Sequence, residues 1–236
     1  MKRVLVTAGS TVVPIDQVRQ IGNVFKGRTG TDIAYRFNTN RYLAKPDDVA
    51  VTLLTSNPEL CKEYDDPNTA PFSSRSPFVR SFRTFDDLAV LMEQEIRSGQ
   101  YDTIIHSAAV SDYKVARVLE PAVLGEERFP IDASKKISGS YGTLYLELSP
   151  TIKLVDQIRE PWGFNGKLVK FKLQVGISDK ELIEIARKSL AVSKADFIVA
   201  NCLEWCRERA FVIGADGSCE NVSRAKLPDA LWERLR

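Results

Sequence analysis

Histidine is almost absent from this chain of 236 residues, with His106 the single example, so HExxH zinc chemistry and multi-histidine metal centres cannot be built from it. Cysteine is sparse too. Cys61, Cys202, Cys206 and Cys219 do not make a disulfide framework in a chain this long, and the Cys202/Cys206 spacing does not fit a CxxC zinc knuckle. No run approaches the ~20 apolar residues of a membrane span, and Met1-Lys2-Arg3 leads straight into Val4-Leu5-Val6 without the apolar core of a signal peptide. A cytoplasmic protein is expected. Excess charge of one sign is missing as well: 33 basic against 31 acidic residues leave a formal +2, which supplies no field for nucleic acid or an anionic membrane. Any polyanionic ligand must therefore be met by a local cluster. These absences move the chemistry onto Asn, Lys, Arg, Asp and backbone groups.

Apolar runs of strand length alternate with segments of helical period, the pattern of βαβ units and a mostly parallel sheet. Strands are predicted at Arg3–Thr7, Val49–Leu54, Phe78–Phe82, Thr103–Ser107, Leu168–Leu173 and Phe197–Ala200. Thr84 with Asp87 caps a helix carrying Leu88, Leu91, Met92 and Ile96 and stopping at Gly99. Ser178 with Glu181 opens another, with Leu182, Ile185, Ala186 and Leu190. A third begins near Thr29-Gly30 and carries Ile33, Ala34 and Phe37. Asn57–Pro77, with four prolines and Ser73-Ser74, reads as a surface loop. Leu119–Leu148 breaks the βα rhythm and reads as a β-ribbon excursion, ending on the alternation Leu144-Tyr145-Leu146-Glu147-Leu148. Ala210–Ile213 and Cys219–Val222 flank a Gly214-Ala215-Asp216-Gly217 turn, and a last helix spans Ser223–Leu235. The fold expected is α/β and Rossmann-like, a doubly wound, mostly parallel sheet with a small antiparallel β-ribbon excursion. Without repeats, low-complexity tracts or a linker, it is expected to be one domain over residues 1–236.

Ligands in open α/β sheets sit beyond the carboxyl ends of the strands, so the segments Thr7–Gly30, Ser107–Tyr113 and Ala200–Glu204 are the ones to search. The turn Thr7-Ala8-Gly9-Ser10-Thr11 offers backbone N–H groups that could cradle a phosphate, yet it is neither GxGxxG nor a Walker A loop. Pro14 breaks any helix that would start there. Lys26-Gly27-Arg28-Thr29-Gly30 places glycines and two cations at a helix start, a credible anion site or else a basic cap on a surface helix. In Ser107-Ala108-Ala109-Val110-Ser111-Asp112, small residues admit a flat base or ribose, and Asp112 could accept from a hydroxyl or hold a divalent cation through water.

The ordered series T-A-G-x-T, P-x-D-x-V-R-x-I-x-N, G-R-x-G, A-A-V-S-D-Y, K-I, F-K-L and V-A-N, running from Val4 to about Val222, resembles the phosphopantothenoylcysteine synthetase family. The resemblance implies a Rossmann-like homodimer joining 4'-phosphopantothenate to cysteine through an acyl-nucleotidylate, at the expense of ATP or CTP with Mg²⁺ carried on the nucleotide rather than by direct protein ligands. It places the catalytic roles on Asn23, Lys136 and Arg19. It places nucleotide contacts on Gly9, Ser10, Ala108, Ala109, Asp112, Lys135, Phe171, Lys172 and Asn201. Lys26, Gly27, Arg28 and Gly30 are assigned to the substrate phosphate, and the ribbon near Leu144–Leu148 to a dimer contact. The F-K-L and A-N-x-L-E features lean towards the ATP-using branch. The chain departs from the family where Phe25 and Lys26 replace two serines, and where Gln174-Val175 follows F-K-L. Two other functions are carried: a diverged nucleotide-binding paralogue without ligase activity, and a Rossmann-type NAD(P) oxidoreductase. The latter should show a YxxxK pair, and none of the seven tyrosines has a lysine four residues on.

Overall fold

A computed structural model describes residues 1–39, 49–65, 76–121 and 128–236. Eight strands form one sheet in the order β12-β11-β10-β9-β6-β1-β4-β5. These are β1 (Lys2–Ala8), β4 (Val49–Thr55), β5 (Phe78–Ser81), β6 (Thr103–His106), β9 (Lys167–Gln174), β10 (Phe197–Cys202), β11 (Arg209–Gly214) and β12 (Cys219–Ser223). The six strands β5, β4, β1, β6, β9 and β10 pair in parallel, and β11 and β12 close one side antiparallel. The sheet is doubly wound. From β1 the chain runs through α1 (Arg28–Thr39) to β4 on one side, then returns from β5 through α3 (Phe85–Arg97) to β6 on the other. The crevice between β1 and β6 is therefore the topological switch point, where such folds bind ligands.

Side chains of the parallel strands bury both faces. Val4, Val6, Val51, Leu53 and Val199 pack under α1 and α6 (Leu227–Leu235). Leu5, Leu54, Ile104, Leu168 and Ile198 pack under α3 and α5 (Asp179–Val192). Both expected capping boxes form: Thr84 with Asp87 on α3 and Ser178 with Glu181 on α5. Along α1 the residues facing the sheet are Gly30, Ile33, Ala34 and Phe37, and Gly30 lets the helix sit against β1, because a β-carbon there would meet Ala8 Cβ at 2.7 Å.

Five details differ from the sequence reading. The region from Asn57 starts with a helix, α2 (Glu59–Asp65), whose Leu60 and Cys61 are buried; residues 66–75 of that expected loop lie outside the described residues. Between β1 and α1 a small hairpin forms from β2 (Val12–Pro14) and β3 (Gln20–Gly22), so Pro14 sits in a short strand. The ribbon is made by β7 (Tyr113–Leu119) and β8 (Tyr145–Pro150), and its first strand precedes Leu119 rather than following it. A short helix, α4 (Leu154–Gln157), follows the ribbon. Finally, Arg224–Lys226 is a 3-10 turn, and α6 proper starts only at Leu227 with Pro228 in its first turn, where a missing N–H costs nothing.

Candidate active site

The expected nucleotide residues stand along four adjacent strand ends. Gly9 and Ser10 follow β1, Ala108 and Ala109 follow β6, Lys172 lies on β9 and Asn201 on β10, and β1, β6, β9 and β10 are successive neighbours. At ~4.8 Å per strand the row spans about 14 Å, the length of a mononucleotide laid across the carboxyl edge. Beyond β1 and β6 the two loops continue to pair: Ala109 N donates to Gly9 O at 2.8 Å and Thr11 N to Ala109 O at 3.2 Å. Ser111 N and Thr11 Oγ1 are joined at 2.8 Å.

These bonds correct one expectation. The Gly9-Ser10-Thr11 turn is no open cradle for phosphate, because Ser10 N donates to Ser56 Oγ at 2.8 Å and Thr11 N is taken by Ala109. Ala108 N is likewise committed, to Thr7 Oγ1 at 3.1 Å. The crevice presents a flat, hydrogen-bonded wall of small residues, suited to a ring or a ribose. Anion capacity lies instead at the start of α1, where the first-turn N–H groups have no intrahelical acceptor. Gly27 there has φ +88°, and a β-carbon on it would stand 2.7 Å from Gly9 Cα, so the α1 start and the β1 turn are in backbone contact. Of the cations beside it, Lys26 is exposed and Arg28 pairs with Glu63 at 3.0 Å, an interaction that raises the guanidinium's affinity for its proton.

His106 ends β6 beneath this wall. It is buried, and its Nδ1 shares a 2.9 Å hydrogen bond with Thr7 Oγ1, the same oxygen that receives Ala108 N. Burial, with a smaller contribution from the Lys170 ammonium, pushes its pKa down to about 4, so the ring is neutral at pH 7. Lys170 is itself buried and donates to Ser189 O at 3.1 Å and Ser193 Oγ at 3.0 Å at the end of α5. Phe171 points to the opposite face and packs against the core under α1, partly exposed, while Lys172 is half-buried. Asn201 is buried opposite Leu173. The loops after β9 and β10 are tied by Leu203 N to Gln174 O at 2.9 Å and by Gly176 N to Glu204 Oε1 at 2.8 Å.

The expected catalytic residues sit on the β2–β3 hairpin and on the segment before β8. Asn23 is exposed just past β3, and its Oδ1 accepts from Phe25 N at 3.3 Å, which leaves the carboxamide NH₂ as the donor. Lys135 and Lys136 are exposed on the segment that follows Asp132. What joins the two is Asp16, whose side chain is fully buried. Its Oδ1 accepts from Val18 N at 2.8 Å and Arg19 N at 2.7 Å, and its Oδ2 from Ile137 N at 3.1 Å and Arg19 Nη1 at 3.2 Å. These backbone donors, Val18 first, hold its carboxyl below the usual range against the cost of burial. Arg19 Nη2 in turn donates to Ile137 O at 3.2 Å, and Gln17 Nε2 to Ser134 O at 2.8 Å.

Asp112 stands apart from the row: it is exposed at the base of the ribbon and ion-paired with Lys153, while its carbonyl receives Thr151 N at 2.9 Å. Asp16 and Thr7 stand in the motifs of the sequence without an expected role, and Ser56 lies outside them. Asp16 had a legible signal, an aspartate followed two and three residues on by N–H groups it can cap; the other two act through partners far along the chain. Among the described residues no group of three or more His, Cys, Asp or Glu side chains converges to hold a metal ion, and no helix is long and apolar enough to cross a membrane.

Residues 1–62 match the DNA/pantothenate metabolism flavoprotein C-terminal domain family. A Coenzyme A biosynthesis bifunctional protein CoaBC from Thermococcus kodakarensis is 30% identical over 244 residues, covering 99% of this chain and 51% of that protein. The DNA/pantothenate metabolism flavoprotein from Streptococcus pneumoniae has a TM-score of 0.74 at 25% identity, over 99% of this chain and 97% of that one. Over nearly its whole length the chain is similar to CoaBC proteins of coenzyme A biosynthesis and to the pantothenate metabolism flavoprotein fold. It spans about half the length of the curated CoaBC relatives it matches; the one from Methanocaldococcus jannaschii is 26% identical over 203 residues, 85% of this chain and 40% of that protein. The fold is also shared with a Cab2 mutant in complex with phosphopantothenate-cysteine, at a TM-score of 0.66 and 15% identity over 98% of this chain and 86% of that one.

Proposed function

We propose that the chain is a phosphopantothenate–cysteine ligase of coenzyme A biosynthesis. The observation that carries this reading is the line of Gly9-Ser10, Ala108-Ala109, Lys172 and Asn201 across four neighbouring strand ends, flanked by a hairpin bearing Asn23 that is bonded to the segment bearing Lys135 and Lys136. The similarity to CoaBC proteins of coenzyme A biosynthesis supports it.

A carboxylate is a poor electrophile at neutral pH. In the first step a carboxylate oxygen of 4'-phosphopantothenate attacks the nucleotide's α-phosphorus and pyrophosphate leaves. Lys136, with Lys135 beside it, neutralises the charge gathering on the phosphate oxygens. In the second step the cysteine amine attacks the acyl carbon, the nucleoside monophosphate leaves and the amine sheds its proton. The Asn23 carboxamide donates to the oxyanion formed in between. The flat wall at Ala108 and Ala109 takes the base or ribose, with Phe171 beside it, and the α1 start at Lys26–Gly30 takes the pantothenate phosphate. Mg²⁺ would be carried on the nucleotide phosphates, where it would neutralise part of their charge. Either ATP or CTP is the nucleotide, and the F-K-L segment favours ATP. The apolar ribbon, with Tyr113, Tyr145 and Leu148 exposed, serves as the contact of a homodimer.

Pyrophosphate release, with mass detection of product, is measured with 4'-phosphopantothenate, L-cysteine and Mg²⁺, ATP and CTP in separate reactions. A cysteine-dependent product with either nucleotide is expected. Saturable nucleotide binding without turnover would overturn the ligase reading in favour of a diverged binding protein, with Phe25 and Lys26 the first residues to revert.

A further inference from the structure

Asp16 is a carboxylate with no exposed side-chain surface placed between two pieces of chain 121 residues apart. A buried carboxylate is costly unless its oxygens are satisfied, and these receive three backbone N–H groups and a guanidinium. Two of those N–H groups fold the β2–β3 turn onto Asp16. The third belongs to Ile137, whose own side chain is buried and which directly follows Lys135-Lys136. Arg19 completes the ring: one terminal nitrogen rests on Asp16, the other on the Ile137 carbonyl. Both polar atoms of the Ile137 backbone are thus bound to the hairpin.

We propose that Asp16 is a positioning residue for the nucleotidyl-transfer step: with Arg19 it forms a latch on the Ile137 backbone that sets the two exposed lysines at a fixed height over the strand ends. The proposal rests on the ligase reading. Arg19 acts through this latch, because two of its nitrogens are spent on the protein. The exposed lysines have long, mobile side chains, and only their backbone can be fixed; the latch fixes it one residue away. A displacement of about 1 Å in such a group costs up to ~10²-fold in rate.

Asp16→Asn tests this. The amide keeps the shape but turns an NH₂ towards groups that are all donors. Expected are a cooperative thermal transition, hydrogen exchange at the Ile137 amide accelerated at least about tenfold with β1 unchanged, and single-turnover acyl-nucleotidylate formation slowed ~10- to 100-fold while the nucleotide Kd stays nearly constant. Cysteine attack on preformed acyl-nucleotidylate should be less affected, a split that loss of fold would not give. Gln17→Ala, at an exposed residue, cuts the neighbouring tie to Ser134 O and should loosen exchange over 132–139 with a smaller loss in the same step. Unchanged Ile137 exchange in Asp16→Asn overturns the latch; faster exchange with an unchanged first step overturns its role in the reaction. If Asp16→Asn does not fold, an unaltered first step in Gln17→Ala overturns the proposal. Wild-type protein that makes no acyl-nucleotidylate would instead overturn the ligase reading, with exchange at Ile137 still deciding whether the latch exists.

Discussion

Gly27 and Gly9 meet backbone to backbone: the α-carbon of Gly9 lies where a β-carbon on Gly27 would need to stand, at 2.7 Å. The start of α1 is thereby pressed against the turn that follows β1, and the proposed phosphate and nucleotide subsites share one wall. Gly27→Ala should destabilise the protein by about 1–3 kcal/mol from its left-handed φ alone and by more from the collision, lowering the melting temperature by several degrees. It should also raise KM for phosphopantothenate. Thermal unfolding and steady-state kinetics check both, and an unchanged KM would separate the α1 start from the substrate phosphate.

The single histidine makes a clean probe of acid sensitivity. Folded His106 has its pKa near 4 against an unfolded value of 6.5, so the folded state refuses a proton that the unfolded chain accepts. Its contribution is fully present above pH 6.5 and is lost as pH falls from there towards 4, about 3 kcal/mol in all. The Hε1 resonance of the single imidazole in an NMR spectrum should titrate with a midpoint near 4, and His106→Gln should flatten this part of the stability profile. A midpoint near 6.5 would show that the ring is solvated.

Removal of the Asn23 carboxamide tests the second half-reaction. Asn23→Ala should bind nucleotide normally, let acyl-nucleotidylate accumulate and lose ~10²–10³-fold in turnover, the scale for one oxyanion donor. Lys136→Ala should block formation of the intermediate altogether. If Lys135→Ala does so instead, the two lysines exchange roles.

Leu148, half exposed on β8, addresses assembly. Leu148→Glu should convert a dimer to monomer in light scattering while changing monomer stability by no more than about 0.5 kcal/mol, as expected of a surface site. A dimer that survives the charge is built elsewhere.

Much of this architecture was legible because it is local. Thr84 with Asp87 and Ser178 with Glu181 announce their helices within four residues, and the apolar runs of the parallel strands are buried on both faces. Helix α2 was hidden by the prolines around it, since seven residues with Leu60 and Cys61 inward give too short a pattern to stand out. The β2–β3 hairpin was hidden because its strands are three residues each. At the site, spacing led to the residues but not to their bonds. Ser10 reads as a free N–H in a glycine turn until Ser56, 46 residues away, is seen to take it. Asp16 is only the acid of P-x-D-x-V-R in the sequence, and its bond to Ile137, 121 residues away, leaves no local trace.

The place of β1 in the sheet bears on how the chain folds. It precedes both β4 and β6 in the chain yet lies between them, in register with Val49–Thr55 on one side and Thr103–His106 on the other. Its second edge therefore waits for about a hundred residues of chain, and closing so large a loop is paid before any contact returns it. Until β6 docks, an apolar strand holds an open edge, and the nascent chain is most exposed to wrong pairing in that interval. Arrival of β6 brings Ala109 to Gly9 in the same motion, so closure of β1's second edge and assembly of the crevice between β1 and β6 are one event.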